Sequence, residues 1–384
     1  MVINMIASEK IRLFPTKEQE QLFWKFSNTA RFAYNECLAY KIALYNERDY
    51  SCSVQDLIKH IQELKNSDDY SWLRETPEAV TKQAIKDLDK AYNSFFKRGN
   101  KGFPKFKKKE RTVPSFYQRT DKFRMCDSEH IKITGIKQPV RIRPHRQILQ
   151  CLNPRITFDG KYWYFSYSFE LDSFDKSTSQ EIIGVDLGVK SLAVTSDGVI
   201  YKNINKTKRV QQLEKRKRHL QRKLSRKYEE NKSKGKYVKT NNIIKLEQEI
   251  KMIHRKLKNI RDTYIHQVTY DLVRTKPGYI VVEDLNVSGM LKNKHLSKAI
   301  QQQEFYKFRQ YLTYKCEFFG VELIVTDRFY PSSKTCSCCG HKKRFLSLSE
   351  RTFICPECGQ VIDRDLNAAI NLKNYGKEKV NLAS

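Results

Sequence analysis

The sequence contains no continuous apolar stretch near the ~20 residues that cross a bilayer, and it lacks the apolar core of a signal peptide. A membrane-spanning or secreted protein is therefore not expected. Acidic residues are also in short supply, because 43 aspartates and glutamates face 73 lysines and arginines, a formal net charge of +30. A compact chain with that excess repels itself, and a polyanion partner is the readiest explanation. A membrane surface is the competing polyanion, but without an apolar anchor a nucleic acid is the better candidate.

The cysteines lack the even spread of a disulfide-bonded secreted domain, because five of the ten fall between Cys336 and Cys358. Two Cys-x2-Cys pairs, Cys336 with Cys339 and Cys355 with Cys358, are separated by fifteen residues. This spacing is typical of a zinc ribbon with four thiolate ligands, and chance clustering is the alternative. Cys338 is out of register and is not predicted to be a ligand. We predict a structural Zn²⁺ site in a reducing compartment, because four protein ligands leave no open position for catalysis.

The first half of the chain predicts helices inserted into a small β-structure. Residues 2–13 are a possible edge strand, and Thr16 with Gln19 forms a capping box that opens a helix. Apolar residues at helical spacing predict two further helices, at 57–64 and at 80–95. Alternating segments between 115 and 170, with a turn at Asp159-Gly160, predict antiparallel strands. We expect a small barrel or curled sheet, followed by a polar linker at 172–180.

Two parts of this half have the composition of a nucleic-acid surface. The polar side of the third predicted helix is basic, although an ordinary solvated face is an equally good interpretation. The segment 99–109 places lysines beside two phenylalanines, which combines phosphate attraction with surfaces for base stacking; a plain linker is the alternative. The candidate contacts are Lys82, Gln83, Lys101, Phe103, Lys105 and Lys107.

The most basic part of the chain lies between Lys202 and Asp262, where 22 lysines and arginines face 6 acidic residues. Apolar residues recur at steps of three and four from 243 to 264, and a matching run precedes them at 213–224. The pattern predicts an antiparallel helical hairpin, broken near 231–240. A coiled-coil dimer arm is one interpretation. The excess of positive charge favours an arm that holds a nucleic-acid duplex.

Several acidic residues lie at or near the ends of predicted strands and helices. Asp186 interrupts an apolar strand, Glu283 follows the strand 279–282, and Asp363 and Asp365 begin an amphipathic helix. Each alone is explained as a turn or cap residue. Converging carboxylates are costly unless divalent cations neutralise them, and two such ions ~4 Å apart clamp a phosphodiester for in-line attack. The combination with basic arms indicates a nuclease or a strand-transfer enzyme.

Several motifs resemble those of the transposon-encoded TnpB family, which is related to type V CRISPR nucleases. Four of them accompany the acids and the ribbon: Gly184 to Gly188, Val282 to Leu285, Ser332 to Cys336 and Asp363 to Ala369. Three more are similar to other marks of the family: Phe14 to Gln19, Gly102 to Phe106 and Asn259 to His266. The resemblance spans nearly the whole chain.

The resemblance implies an α/β fold with an RNase-H-like RuvC nuclease domain at 181–331, including a basic hairpin at about 208–275. An inserted zinc ribbon at 332–360 and a final RuvC motif with a tail at 361–384 complete it. A wedge β-barrel, 1–14 and 113–180, would carry a helical recognition insertion at 15–112. By the family pattern Asp186, Glu283 and Asp365 are catalytic and hold Mg²⁺ or Mn²⁺.

The same resemblance implies a prokaryotic, cytoplasmic, nucleoid-associated protein that is more readily a monomer than an oligomer. A guide RNA derived from the transposon end would direct cleavage of target DNA beside a short motif, and Arg261 would contact nucleic acid. Two alternatives remain open: a guide-dependent DNA-binding repressor that does not cleave, and a guide-free transposase accessory or structural RNA-binding protein.

Overall fold

The computed structural model describes residues 5–98, 102–144, 148–171, 176–233, 235–347 and 350–383. The chain divides into two compact units, Met1–Asp172 and Ser173–Ser384. Within the described residues, no helix combines the length and the apolarity needed to cross a bilayer.

The first unit is an antiparallel sheet with helices inserted between its first two strands. The helices are α1 (Lys17–Arg48), α2 (Val54–Asn66) and α3 (Glu78–Arg98), with a 3₁₀ turn at Asp68–Glu75. The strands are β1 (Met5–Phe14), β2 (Ser115–Tyr117), β3 (Arg124–Asp127), β4 (His130–Lys132), β5 (Val140–Ile142), β6 (Leu152–Phe158) and β7 (Trp163–Leu171).

The predicted capping box is confirmed, since Thr16 and Gln19 exchange side-chain to backbone hydrogen bonds at the start of α1. The predicted edge position of the first strand is wrong. Strand β1 lies in the middle of the order β2-β6-β7-β1-β5-β4-β3, because its two ends pair with β7 and β5. Phe23 and Phe26 of α1 cover this sheet and pack against Phe116.

The sheet of the first unit curls toward closure without a backbone ladder between β2 and β3 in the described residues. Gln118, which is 2% exposed, connects the segments that follow β2 and β4. Its amide nitrogen donates to Thr134 Oγ1 at 2.8 Å, and its amide oxygen accepts from the Thr134 backbone N–H at 2.9 Å. This part of the chain is therefore an open, curled sheet, one of the two forms that the sequence pattern allowed.

The second unit is a five-stranded mixed sheet with helices on both faces, followed by a small ribbon. Its strands are β8 (Ile182–Leu187), β9 (Ser191–Thr195), β10 (Ile200–Lys202), β11 (Lys232–Ser233), β12 (Lys236–Tyr237), β13 (Tyr279–Val282), β14 (Glu322–Val325), β15 (Thr352–Ile354) and β16 (Val361–Asp363). Its helices are α4 (Lys208–Glu230), α5 (Asn241–Val273), α6 (Val287–Met290), α7 (Ser297–Gln303), α8 (Phe305–Phe319) and α9 (Arg364–Ala383), with a 3₁₀ turn at Ile204–Lys206.

The strand order of this sheet is β10-β9-β8-β13-β14. Strands β8 to β10 are antiparallel, and β13 and β14 run parallel to β8. Apolar side chains of α5 and α8 bury one face, and Leu372 and Tyr375 of α9 bury the other. The predicted helical hairpin is confirmed, because α4 and α5 pack along one apolar seam and separate at 231–240.

Candidate active site and metal centre

Asp186 and Glu283 lie at the same end of two neighbouring strands. Strands β8 and β13 are parallel and place Val185 opposite Val282. Asp186 is the next residue of β8, and Glu283 is the residue that follows β13. Neighbouring strands lie about 4.8 Å apart, and this register holds the two acids at one edge of the sheet. Asp186 is buried, at 9% exposure.

Helix α9 approaches these strands so closely that only glycine fits at the contacts. A Cβ on Gly184 would lie 2.1 Å from the carbonyl oxygen of Ala369, and a Cβ on Gly376 would lie 2.6 Å from Cγ2 of Val281. Asp365 stands in the first turn of α9. The close packing therefore brings a third acid toward the edge that carries the first two.

The three carboxylates interact electrostatically. Burial raises the pKa of Asp186 well above its usual range. The charges of Glu283, Asp365 and, to the smallest extent, Asp363 raise it further, whereas Arg364 lowers it. Burial also raises the pKa of Glu283, against a hydrogen bond from Ser332 and the charge of Arg364. The site is thus short of positive charge. Carboxylate oxygens in such surroundings fit the ligand preference of Mg²⁺ or Mn²⁺.

Neighbouring acids are engaged elsewhere. The Asp363 carboxylate accepts hydrogen bonds from the backbone N–H groups of Asp365 and Leu366, at 2.9 and 3.2 Å, so it caps α9. Asp284 accepts from Arg309 at 2.6 Å and from Arg328 at 2.8 Å, and these hydrogen bonds lower its pKa. These contacts favour Asp365 over Asp363, and Glu283 over its neighbour, as the acids that face Asp186.

The four predicted cysteine ligands converge: the sulfurs of Cys336, Cys339, Cys355 and Cys358 all lie within 4.8 Å of one another. Cys338 is exposed and stands outside the group. No comparably tight set of carboxylates occurs in the part of the chain that the structure describes. The arrangement fits one metal ion held by four thiolates.

Two equivalent turns present these sulfurs. The N–H of Cys336 donates to His341 O and that of Cys355 donates to Gln360 O, both at 2.9 Å. Gly340 and Gly359 close the two turns with φ of 75° and 70°, a left-handed conformation that suits glycine. The repeated local geometry explains why cysteine spacing alone located the site.

Buried amides of α9 connect the ribbon to the carboxylates. Asn371 Nδ2 donates to the carbonyl oxygens of Ser332 and Thr335, at 2.7 and 2.6 Å. Asn367 Nδ2 donates to Thr335 O at 2.7 Å. The Ser332 hydroxyl in turn donates to Glu283. We call Ser332, Asn367 and Asn371 the amide clamp. Ser332 and Asn367 stand within recognised motifs, but no periodicity or spacing indicated what they contact.

A second polar network supports the loop after Asp186. Gln303 Nε2 donates to Gly188 O at 2.8 Å, and Asn205 Nδ2 donates to Gln303 Oε1 at 3.4 Å. Arg261 donates to Asn205 Oδ1 at 2.8 Å and pairs with Glu214 at 3.0 Å. Since Glu214 belongs to α4 and Arg261 to α5, the network ties both helices of the basic hairpin to this loop. Arg261 therefore has internal partners where a nucleic-acid contact was predicted.

The remaining predicted contacts fall into two groups. Gln83 donates to Asp87 at 3.0 Å, and the Lys107 ammonium lies 3.6 Å from the centroid of the Tyr34 ring, so both are half-buried and have partners within the chain. Lys82, Phe103 and Lys105 are more accessible: Lys82 pairs with Glu78 at 2.7 Å, Phe103 packs edge-on against Tyr92 and Phe95, and Lys105 is exposed. Lys101 lies outside the described residues. Contact with nucleic acid stays a prediction for all of them.

Three family models match the sequence. One described as "Probable transposase" matches 166–294, one described as "Cas12f1-like, TNB domain" matches 305–372, and one described as "Helix-turn-helix domain" matches 5–49. In this structure the last segment forms strand β1 and the single uninterrupted helix α1. It does not have the two short helices of a groove-reading helix-turn-helix.

Relatives match along nearly the whole chain. "Putative RNA-guided DNA endonuclease InsQ" of Escherichia coli is 30% identical, across 96% of this chain and 91% of its own. A "Putative RNA-guided DNA endonuclease" of Streptomyces pristinaespiralis is 29% identical, across 96% and 88%. "TnpB-like protein L79" of Acanthamoeba polyphaga mimivirus is 33% identical over 34% of this chain and 26% of its own.

One solved structure has the same fold at low sequence identity. The protein in the "Cryo-EM structure of the Cas12f1-sgRNA-target DNA complex" aligns with a TM-score of 0.62 and 14% identity, covering 97% of this chain and 99% of that one. Because so few residues are shared, this similarity concerns the fold alone.

Proposed function

The chain belongs to the TnpB family, and we propose that it is an RNA-guided DNA endonuclease. The observation that carries the proposal is the approach of Asp186, Glu283 and Asp365 at one edge of the second unit's sheet. A protein that only bound nucleic acid would not need buried carboxylates, which repel phosphates. The alternatives without cleavage leave these acids unexplained.

We further propose that each part of the chain has a separate role. Residues 181–331 with 361–384 form an RNase-H-like RuvC nuclease domain, and 332–360 form a ribbon whose four thiolates bind structural Zn²⁺. Residues 1–14 and 113–180 act as the wedge barrel, and 15–112 act as the helical recognition insertion. The mixed sheet with helices on both faces supports the nuclease assignment.

The chemistry follows from what the acids hold. Asp186, Glu283 and Asp365 would bind Mg²⁺ or Mn²⁺, which when bound supplies Lewis-acid stabilisation of charge on the phosphate oxygens. Ser332 donates a hydrogen bond to Glu283 and so orients this carboxylate. Arg364 provides positive charge that keeps the buried acids closer to their ionised forms. Asp363 holds the first turn of α9 in place.

Target choice is assigned to a guide RNA. The curated relatives named above carry that description in their names. The basic surface of α4 suits contact with the phosphates of a nucleic-acid backbone, and such contacts do not distinguish one base sequence from another. Base pairing between the guide RNA and the target supplies this sequence specificity, and only a short flanking motif is left for the protein to read. The transposon-end RNA and the target DNA are therefore the partners we propose.

Guide exchange tests the proposal. The protein is purified with its co-expressed RNA, the RNA is sequenced, and its terminal segment is replaced. The new guide should redirect Mg²⁺-dependent cutting to the matching DNA, and RNA-free protein should have no site-specific cleavage. Binding that follows the guide without any cleavage would favour the repressor. Cutting of one defined sequence without RNA would favour the transposase-like alternative.

A further inference from the structure

A cavity of about 150 Å³ opens beside Glu283. Residues 283–286 line one side, directly after strand β13, and residues 326–330 line the other, directly after β14. Both strands are parallel and end at the same edge of the sheet. Any group that enters this cavity therefore lies next to one of the three proposed catalytic acids.

Phe329 stands at this cavity with 90% of its surface exposed. Its neighbours hold the turn rigidly: the Tyr330 N–H donates to Asp327 O at 3.0 Å, and the Tyr330 hydroxyl donates to Asn371 O at 3.1 Å. Tyr375 donates to the Asp327 carboxylate at 3.1 Å and packs on the Tyr330 ring. An anchored turn that leaves one aromatic ring in solvent presents a flat apolar face.

Charges of both signs surround the cavity. Arg309 and Arg328 both hydrogen-bond Asp284 and so neutralise this carboxylate, while Glu283 and Asp327 also line the cavity.

We propose that this cavity receives one unpaired nucleotide of the target DNA next to the bond that is cut, with its base stacked on Phe329. The inference rests on the proposed nuclease function and adds the group that places the strand. A paired base already has neighbours on both faces, whereas an unpaired base has a free face for an aromatic ring. Stacking at this point would hold the adjoining phosphate close to Glu283.

The test combines a protein change with a DNA change. Guide-loaded wild-type protein is used to map the cut, and targets are made with a single abasic site at each nucleotide flanking it. Single-turnover cleavage is then measured for wild type, Phe329→Ala and Phe329→Trp. Phe345→Ala is the matched control, because Phe345 is similarly exposed, at 80%, but lies in the ribbon. Thermal unfolding midpoints verify that each variant is folded.

Phe329→Ala should slow cleavage of intact DNA on the order of 10- to 100-fold, the range expected for one lost base-aromatic stack. At one flanking position the abasic site should slow wild type similarly and cause little further loss in Phe329→Ala. Phe329→Trp should cleave near the wild-type rate, and so should Phe345→Ala.

Two results would overturn the inference: cleavage of intact DNA by Phe329→Ala at the wild-type rate, or equal fold losses from the abasic site in both proteins at every position. Both require a wild type that cuts under RNA direction. Absence of such cutting would instead refute the proposed function, so the two failures are distinguishable.

Discussion

The cluster of four cysteines and the cluster of three acids in the second unit are formed in opposite ways. The four cysteines come from one short segment, and two repeated turns place their sulfurs within 4.8 Å of one another. The three acids come from β8, from the residue after β13, and from α9, and the sheet and helix packing must form before they meet. One centre is local, and the other is produced by tertiary structure.

The difference teaches what each centre can do. Four thiolates fill a tetrahedral metal site, which contributes to folding and leaves no position for a substrate. Buried carboxylates with raised pKa values destabilise the metal-free fold near neutral pH, and cations with open positions would offset this cost. The amide clamp joins the two centres, since it connects the ribbon's first turn to Glu283. The comparison can be tested at each of these points.

The largest effect is expected from the acids themselves. Asp186→Ala, Glu283→Ala and Asp365→Ala should each reduce cleavage more than about 1,000-fold, because a lost metal ligand removes several kcal/mol of transition-state stabilisation. Guide and target binding should persist. Asp363→Ala should retain most activity, since a helix cap contributes about 1 kcal/mol. Normal cutting by Asp365→Ala with none by Asp363→Ala would transfer the third role to Asp363.

Removal of a zinc ligand should have the next largest effect. Cys339→Ser or Cys355→Ser should lower zinc content below one ion per chain and impair cleavage, because the start of α9 and Ser332 lose their support. Metal analysis of the purified protein measures this directly. Cys338→Ser is the matched control and should keep its zinc. Equal zinc loss from Cys338→Ser and Cys339→Ser would contradict the ligand assignment.

Breaking the amide clamp should weaken the carboxylate centre and leave the zinc centre intact. Ser332→Ala and Asn371→Ala should raise the Mg²⁺ concentration for half-maximal cleavage on the order of 10-fold, with zinc content unchanged. In wild type the hydrogen bond from Ser332 lowers the pKa of Glu283. Ser332→Ala removes this bond, so the pKa of Glu283 should rise and the acid limb of the pH profile should move to higher pH. Ser333→Ala and Asn374→Ala are neighbouring controls. Controls that shift the Mg²⁺ midpoint equally would leave the clamp without a specific role.

The smallest effect concerns stability without Mg²⁺ or Mn²⁺. Burial raises the pKa of Asp186, so wild type without these ions should be most stable below the carboxyl's ordinary pKa and lose stability as pH rises through the raised value. Asp186→Asn should remove that loss and raise the thermal unfolding midpoint near neutral pH, by roughly 2–4 °C for each kcal/mol gained in the free energy of unfolding. Calorimetry of zinc-loaded protein in buffer without Mg²⁺ or Mn²⁺ measures it.

The matched substitution Asp284→Asn, one residue beyond Glu283, should change the thermal unfolding midpoint in the opposite direction. The pKa of Asp284 is lowered by Arg309 and Arg328, so its contribution to stability is present above the ordinary pKa and is lost as pH falls. Asp284→Asn should therefore lower the neutral-pH midpoint. A higher midpoint for Asp284→Asn, or a lower one for Asp186→Asn, would show that burial and charge do not control stability here.

Local sequence patterns predict the local structure of this chain correctly. The capping box at Thr16, the antiparallel hairpin of α4 and α5, the turn at Asp159-Gly160 and the convergence of the four cysteines all depend on residues close together in the chain. Dihedral preferences, helical periodicity and ligand spacing act over that range, so each pattern has one low-energy outcome.

Other features depend on partners distant in the chain. The central position of β1 follows from pairing with strands over 100 residues away in the chain. The sequence of β1 alone does not distinguish a central strand from an edge strand. Contact with nucleic acid stays a prediction for Arg261 and Lys107, and only the fold shows that Arg261 also pairs with Glu214 and Lys107 also lies over the Tyr34 ring. A basic side chain has the same local pattern whether it meets a phosphate or an internal partner.

The sequence by itself determined that this protein would carry a strong positive charge, a four-cysteine metal site and acids at the ends of its elements. Only the tertiary structure decided which acids face one another. The register that pairs Val185 with Val282 places Asp186 beside Glu283. The close contact at Gly184 brings α9, which carries Asp365, next to these strands. Register and helix packing are cooperative properties of the folded sheet, so no single segment of the chain encodes them.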